Sequence, residues 1–377
     1  MPHAAVGLLR DLVAIDSVNP SLVPGAAGER EIARFVDRWA RDAGLATQIV
    51  ETTPGRPSVI VRGGTAGGGP TLLLCGHLDT VGVRGMTDPH EPRVDGDRMH
   101  GRGAYDMKGG LAAALISCRD ATLAGIAGEV VVAAVADEEH ASLGVRAVLT
   151  HVSADAAVVT EPTELTVAVA HKGFVWTQID VTGSAAHGSR PHLGVDAILK
   201  TGPVIVGLSD LDARLRADEH PLLGSGSLHA SLIDGGLGES TIPDRCTLTV
   251  ERRTLPGETG ADVERDIEDL LGRCRDADPD LRAQQRTTLV RDPFEVPPTE
   301  PIVGVVRDAA TAVMGRPPKV GGVSYWSDAA FIAAAEIPTV LFGPAGDGAH
   351  AAVEWVSIEA TAACADVLTA AARAFCR

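Results

Sequence analysis

The sequence predicts an α/β fold built on a mixed, largely parallel sheet sandwiched by helices and interrupted by an α+β insert. Three observations carry this expectation: apolar runs that end in His, Asp or Glu, helical periodicities that alternate with them, and a change of rhythm in mid-chain. From about Gly28 to Gly44, Ile32, Phe35, Val36 and Trp39 recur at helical spacing, and Gly44 supplies the stop. Val59 to Val61 reads as a strand. Thr71 to Cys75 is a second, leading into Gly76-His77-Leu78-Asp79-Thr80. Val81 to Gly103 is a long irregular stretch rich in Gly, Pro, Asp and His, a length at which loops are functional or disordered. Met107 to about Ala124 is rich in Ala and Leu, with Gly109-Gly110 near its start, which suits a helix packed closely on a sheet. Strands at 130–136 and 156–160 then flank a helical segment near Leu143 to Thr150.

Between about Gln178 and Arg291 the order becomes strand (Trp176 to Val181), helix (Gly194 to Leu211), strand (Leu228 to Ile233), strand (Cys246 to Arg252), helix (Gly260 to Arg275) and strand (Arg282 to Val290). That βαββαβ series is the ferredoxin-like split unit. From Pro301 the pattern returns to helix and buried strand, with Thr339 to Phe342 as a strand and Ile358 to Phe375 as a closing amphipathic helix. The expectation is a discontinuous domain, 1–177 with 292–377, carrying an inserted domain at 178–291.

Composition excludes several function classes. Acidic residues outnumber basic ones by 50 to 33 in 377 residues, a formal charge of −17, and no Lys/Arg stripe or interleaved aromatic set is visible, so no nucleic-acid partner is expected. No window approaches ~18 consecutive apolar residues, so no membrane span is expected. The six cysteines (Cys75, Cys118, Cys246, Cys274, Cys364, Cys376) have no CxxC spacing and read as reduced thiols. The start of the chain lacks a basic and then apolar leader, and a cytoplasmic location follows as the expectation.

The chemistry lies where the strands run out. His77, Asp106, Glu138, Glu139, Glu161 and His350 stand at or near predicted strand ends, and ligands of open parallel sheets bind just outside those ends. Zinc takes His nitrogen and Asp or Glu oxygen, and two ions ~3.5–4 Å apart need a bridging carboxylate. A symmetric set results: His77 with Glu161 on one ion, His350 with Glu139 on the other, and Asp106 between. Glu138 is left to deprotonate the metal-bound water. Neighbouring residues of a strand point to opposite sides, so Glu138 and Glu139 share a site only if the chain bends at about Asp137. Asp79 is placed to accept the second imidazole N–H of His77 and orient the ring.

The segments Gly76-His77-Leu78-Asp79-Thr80-Val81, Gly101-Arg102-Gly103-Ala104-Tyr105-Asp106-Met107-Lys108-Gly109-Gly110, Asp137-Glu138-Glu139, Thr160-Glu161-Pro162-Thr163, and Gly343-Pro344 before Ala349-His350 together resemble the di-zinc aminoacylase and carboxypeptidase family. That family includes acetylornithine deacetylase, succinyl-diaminopimelate desuccinylase and glutamate carboxypeptidase. The resemblance covers essentially the whole chain. It implies a zinc-peptidase-like catalytic domain with a smaller lid, two Zn2+ (Co2+ or Mn2+ as substitutes), the residue roles just derived, and a homodimer formed through the lid. Gly183-Ser184-Ala185-Ala186-His187-Gly188 resembles the family segment whose histidine enters the neighbouring subunit's active site and steadies the reacting carbonyl, here His187. Glu251-Arg252-Arg253-Thr254-Leu255-Pro256 resembles the run that grips a substrate carboxylate, which makes Arg253 the candidate, with a guanidinium fork suited to both oxygens. Two departures stand out: Glu251 replaces Asp, and Ser240 replaces the Asn that many relatives have before Ile-Pro, where a substrate contact is made.

Arg253, on an alternating strand, has the alternative of pairing with Glu251. His90, His100, His140 and His151 lie in loops or helix starts outside the ligand set, and His171 sits at a turn leading towards the insert. Gly101-Arg102-Gly103 is no dinucleotide loop, since Asp106 stands where the third Gly belongs. Tyr325, Trp326, Ser327 and Asp328 are candidates for pocket walls. The expected function is metal-dependent hydrolysis of the amide of a small N-acyl amino acid by a two-metal-activated water. A dipeptidase or carboxypeptidase is the alternative, and a non-catalytic metal- or ligand-binding protein a more remote one.

Overall fold

The computed structural model describes residues 3–377 and separates into two compact units. The first runs through Val169 and resumes at Val296–Gly321 and Ser327–Arg377; the second is Ala170–Glu295 with Gly322–Trp326. The second unit is wider than the 178–291 expected from sequence because the strand Gly173–Thr182 is paired along its whole length with Arg245–Thr254.

The core of the first unit is a sheet in the order Ala46–Val50, Ser58–Gly64, Glu129–Val135, Thr71–His77, Ala156–Val159, Thr339–Leu341, Val167–His171. Its middle is parallel: Thr71–His77 pairs with Glu129–Val135 and with Ala156–Val159, which pairs in turn with Thr339–Leu341. The flanking pairings are antiparallel. All seven residues of Glu129–Val135 are buried, as are Leu72 to His77, which is why these strands read as unbroken apolar runs. Helix Gly109–Leu123 packs against Ile358–Phe375 and Ala4–Val13, and Pro301–Met314 lies against Ile358–Phe375. Helix Arg30–Asp42 covers the antiparallel edge with Ile32, Ala33, Val36 and Ala40, while Phe35 and Trp39 are half-buried.

Three features of this unit were not anticipated. Ala46–Val50 is a mostly exposed edge strand without an apolar period. Val167–His171 is a buried strand, and its last residue, the fully buried His171, stands where a turn was expected to begin; Ala170 and His171 already belong to the second unit. The stretch 81–103 contains a small hairpin, Arg93–Asp95 with Arg98–His100, which joins Trp355–Ser357 and Gly346–Asp347 in a second sheet. That pairing ties the 81–103 stretch to the segment bearing His350.

In the second unit the sheet order is Ser227–Gly235, Arg245–Thr254, Gly173–Thr182, Arg282–Arg291, antiparallel throughout. With helices Ala197–Leu215 and Gly260–Ala277 this is the βαββαβ arrangement. Alternate residues (Val175, Ile179, Val181, Leu248, Val250) meet Val204, Leu208, Ile267 and Leu271 of the helices in one core. Helix Gly260–Ala277 opens with a capping box between Thr259 and Asp262, a device that contributes about 1 kcal/mol. All six cysteines are free, and no helix of the described residues is long and apolar enough to cross a membrane.

Gly110 shows why the helix after Asp106 begins with paired glycines. A Cβ there would run into the carbonyl oxygen of Thr160, the residue before Glu161. Gly110→Ala should therefore destabilise the protein by about 1–3 kcal/mol or more, as overpacking does. Gly304→Ala, in helix Pro301–Met314 with nothing within 4 Å of a Cβ, should instead stabilise by about 0.5–1 kcal/mol. Thermal unfolding of both variants checks the contrast; equal midpoints would contradict it.

Candidate metal centre

Each motif reaches the site from the carboxyl end of a strand. His77 ends Thr71–His77, Glu138 and Glu139 follow Glu129–Val135, Glu161 follows Ala156–Val159, and His350 lies beyond Thr339–Leu341. Asp106 arrives on the turn Ala104–Lys108 that opens helix Gly109–Leu123; its peptide bond to Met107 is cis. All six belong to the first unit.

Asp106 faces both histidines at once. His77 Nε2 is 3.1 Å from Asp106 Oδ1 and 3.8 Å from Glu161 Oε1. His350 Nε2 is 3.3 Å from Asp106 Oδ2 and 3.1 Å from Glu139 Oε2. The carboxylate is thus divided, one oxygen towards His77 and Glu161 and the other towards His350 and Glu139. Donor atoms of His77, Glu138 and Glu161 lie within 4.8 Å of one another, and so do those of His77, Asp106 and Glu139. Glu138 therefore stands on the His77 and Glu161 side. Asp137, with φ 67°, makes the turn that lets both glutamates join one cluster.

The electrostatics describe a site short of positive charge. Burial, and then neighbouring acids, push the Glu138 and Glu161 carboxyls well above the usual glutamate range. Glu139 is raised as well, by burial first and Asp106 next. Burial opposes the charging of His77, but its contacts with Asp106 and the surrounding glutamates win and its pKa lies well above that of a free imidazole. Hydrogen bonds to Asp106 and Glu139 hold His350 up to about 10. Asp106 is itself depressed: burial is outweighed by its two histidine partners. The donor set, two imidazole nitrogens and four acids, suits zinc-type ions. Glu139 Oε1, buried with no hydrogen-bond partner, offers a further oxygen to such an ion.

The support around the ligands departs from expectation at Asp79. His77 Nδ1 donates to the backbone carbonyl of Asp79 at 2.9 Å, while the Asp79 carboxylate lies 3.9 Å away. Asp79 thus orients the ring through its main chain rather than its side chain. The carboxylate accepts instead from the backbone N–H groups of Glu138 (3.1 Å) and Glu139 (3.3 Å) and from Asn19 Nδ2 (2.7 Å). Those donors take up its lone pairs, and the carbonyl is the acceptor left facing the ring.

Glu354 was missed from sequence. Buried, it accepts from the N–H groups of Gly103 (3.0 Å), Tyr105 (2.9 Å) and Asp106 (3.1 Å) and from Arg102 Nη1 (2.7 Å), and so holds the turn that presents Asp106. Nothing in Ala-Ala-Val-Glu354-Trp signals this role, because the partners lie some 250 positions away.

His187, Ser240 and Arg253 belong to the second unit. His187 is exposed on a two-residue strand paired with Thr241–Ile242, its Nδ1 2.8 Å from Ser189 Oγ. Ser240 is exposed, and its carbonyl accepts from Gly188 N at 2.8 Å. Arg253 donates from Nε to Glu251 Oε1 at 2.7 Å, with its guanidinium 5.0 Å over Phe174. Trp326 packs edge-on against Phe174 and His171 in that unit, whereas Ser327 and Asp328 are buried in the first. His90, His100, His140 and His151 take no part in either donor group.

A fold of this kind with acids and histidines gathered at its strand ends defines a metal-dependent hydrolase. The chain belongs to Peptidase family M20/M25/M40, whose family description matches residues 73–374. Acetylornithine deacetylase of Vibrio atlanticus (strain LGP32) is 27% identical over 379 aligned residues, covering 97% of each chain. Among solved structures, an M20 metallo-carboxypeptidase from Sulfolobus solfataricus superposes with a TM-score of 0.81 at 17% identity, over 98% of this chain and 99% of that one. A dinuclear metal-binding M20 peptidase from Bacillus subtilis gives 0.75 at 16% identity, over 99% and 97%.

The shifts set a pH dependence for the metal-free protein. The stability associated with the raised glutamates is present at low pH and is lost as pH rises from 4.5 through their folded values. That of the histidines is present below 6.5 and is lost through their raised values, about 10 for His350. These groups act in one direction, and buried Lys108, lowered to about 7 by desolvation, acts in the other. The part that belongs to the centre is read as the difference between the unfolding temperatures in divalent cation and in chelator, which should widen from pH 6.5 to 10; a difference that narrows over that range would contradict the assignment.

Proposed function

We propose that the chain is a two-zinc amidohydrolase that removes the acyl group of an N-acyl amino acid, of deacetylase or deacylase type. The observation that carries this reading is the division of Asp106 between His77 and His350, with Glu161 and Glu139 beyond them and Glu138 alongside. His77, Asp106 and Glu161 would hold one ion, and Asp106, Glu139 and His350 the other, with Co2+ or Mn2+ as substitutes. When bound, two such ions polarise a scissile carbonyl and lower the pKa of a water towards ~7. Glu138 is the proton carrier: standing on the His77 and Glu161 side of the cluster, it is placed to take a proton from water and hand it to the leaving amine.

On this reading His187 steadies the oxyanion from a second copy of the chain, Arg253 grips the substrate carboxylate after exchanging its Glu251 partner, and Ser240, in place of Asn, is the substrate-binding residue of its loop. The homodimer would form through the second unit, where Leu199, Val206, Leu232, Ile233 and Leu237 are exposed apolar side chains. Free thiols and the acidic charge agree with a cytoplasmic location. The near full-length similarity to an acetylornithine deacetylase favours the deacylase reading. A dipeptidase or carboxypeptidase is the second reading, favoured by the metallo-carboxypeptidase that shares the fold. Both cleave an amide beside a free carboxylate.

Glu138→Gln should retain two metals by elemental analysis and lose about 10²–10⁴-fold in turnover; retained activity would end its role as proton carrier. A panel of N-acyl amino acids and dipeptides, resolved by mass spectrometry, decides the substrate. Release of acyl groups supports the deacylase, release of amino acids from dipeptides alone supports the peptidase, and tight binding without turnover supports a binder. His187→Ala should lower kcat with KM little changed, and an unchanged kcat would remove it from the reaction.

A further inference from the structure

Behind the bend at Asp137 lies a buried chain of charged and polar groups that the proposed chemistry does not use. Arg56 forks onto Glu29, with Nε 2.7 Å from Oε2 and Nη2 2.6 Å from Oε1. The same Nη2 donates to Asp137 Oδ1 at 2.7 Å, and Nη1 donates to Ser21 Oγ at 3.0 Å. Glu29 Oε1 also accepts from the Asp137 N–H at 3.2 Å. Asn19 Nδ2 then bridges Asp137 Oδ1 (3.0 Å) and Asp79 Oδ2 (2.7 Å). Asp79 holds the N–H groups of Glu138 and Glu139, so the chain ends on the backbone of two site residues. Asn19, Glu29, Asp79 and Asp137 are 0% exposed and Arg56 is 8% exposed.

The cost of this arrangement argues that it does more than fill space. A buried ion pair is often no more stabilising than apolar side chains of the same volume, and here one guanidinium faces two carboxylates with a third one hydrogen bond away. Asp137 is also left-handed, a conformation that few residues other than Gly, Asn and Asp adopt. What the network supplies is direction. It grips Asp137 by both N–H and carboxylate and grips the next two N–H groups through Asp79, which leaves residues 137–139 one orientation. His77 and Glu161 stand on strand ends, and His77 meets the network only at the Asp79 carbonyl, a main-chain group that the Asn19 and Arg56 side chains do not touch.

We infer that Arg56 and Asn19 are positioning residues that set the 137–139 bend, so that Glu139 meets Asp106 and His350 while Glu138 stays on the His77 side. This rests on the two-cation reading and adds an asymmetry to it: disturbing the network weakens the position built on Glu139 and His350 and spares the one built on His77 and Glu161.

Cobalt titration of the metal-free full chain, followed by visible absorption and calorimetry, tests this without recourse to turnover. Glu139→Gln and Glu161→Gln assign the two positions. Asn19→Leu, which keeps the volume, and the double variant Glu29→Gln/Arg56→Met, which removes the pair together, should each weaken the Glu139 position about 10–100-fold, as loss of an outer partner of a metal ligand does. The Glu161 position should be unchanged, and circular dichroism should report a native fold. Equal weakening of both positions, or of neither, in the folded variants overturns the inference while leaving the two-cation reading intact. A wild-type chain that takes up no cobalt overturns both.

Discussion

The structure depends on one electrostatic problem: how Asp106 can share a small buried space with three glutamates. Two unit charges 4 Å apart repel by about 4 kcal/mol at the effective dielectric of a protein near its surface. Every neighbouring feature bears on that repulsion. The two imidazoles lie on opposite oxygens of Asp106, three backbone N–H groups and Arg102 converge on Glu354 to hold the turn, and the Asp79 carboxylate draws the glutamate N–H groups together. A centre with this deficit of positive charge is preorganised for divalent ions, because the acids are already gathered and the cost of gathering them is borne by the fold.

The residues of the candidate centre could be singled out because a parallel strand covered on both faces leaves an unbroken apolar run, and the polar residue after it has only one place to go. Thr71–His77 and Glu129–Val135 are the clear cases. The need for a bend at Asp137 was legible too, from strand geometry alone, although not the left-handed conformation that makes it. What sequence could not show is pairing across distance. Glu354 has no local signature, the Arg93–Asp95 hairpin is too short to show a period, and the edge strand Ala46–Val50 is mostly exposed. Asp79 was identified for the right neighbourhood and the wrong group, since its carbonyl and carboxylate differ in direction, and direction is not written in a two-residue spacing.

The second unit was readable for a different reason. Its strands alternate along Gly173–Thr182 and Arg245–Thr254, one face against two amphipathic helices, and that period of two survives in the sequence. Arg253 shows the limit of such reading. Either fate, substrate grip or partner of Glu251, fitted the pattern, and the side chain lies on Glu251 and Phe174.

The order of the candidate ligands along the chain has a consequence for how the molecule comes into being. Between Glu161 and His350 lies the whole of the second unit, so a growing polypeptide presents His77, Asp106, Glu138, Glu139 and Glu161 long before the last imidazole exists. Contacts of such sequence separation form late and slowly. Until the far end of the chain returns, the centre lacks that imidazole, and any ion that reached it earlier would find only half a cage.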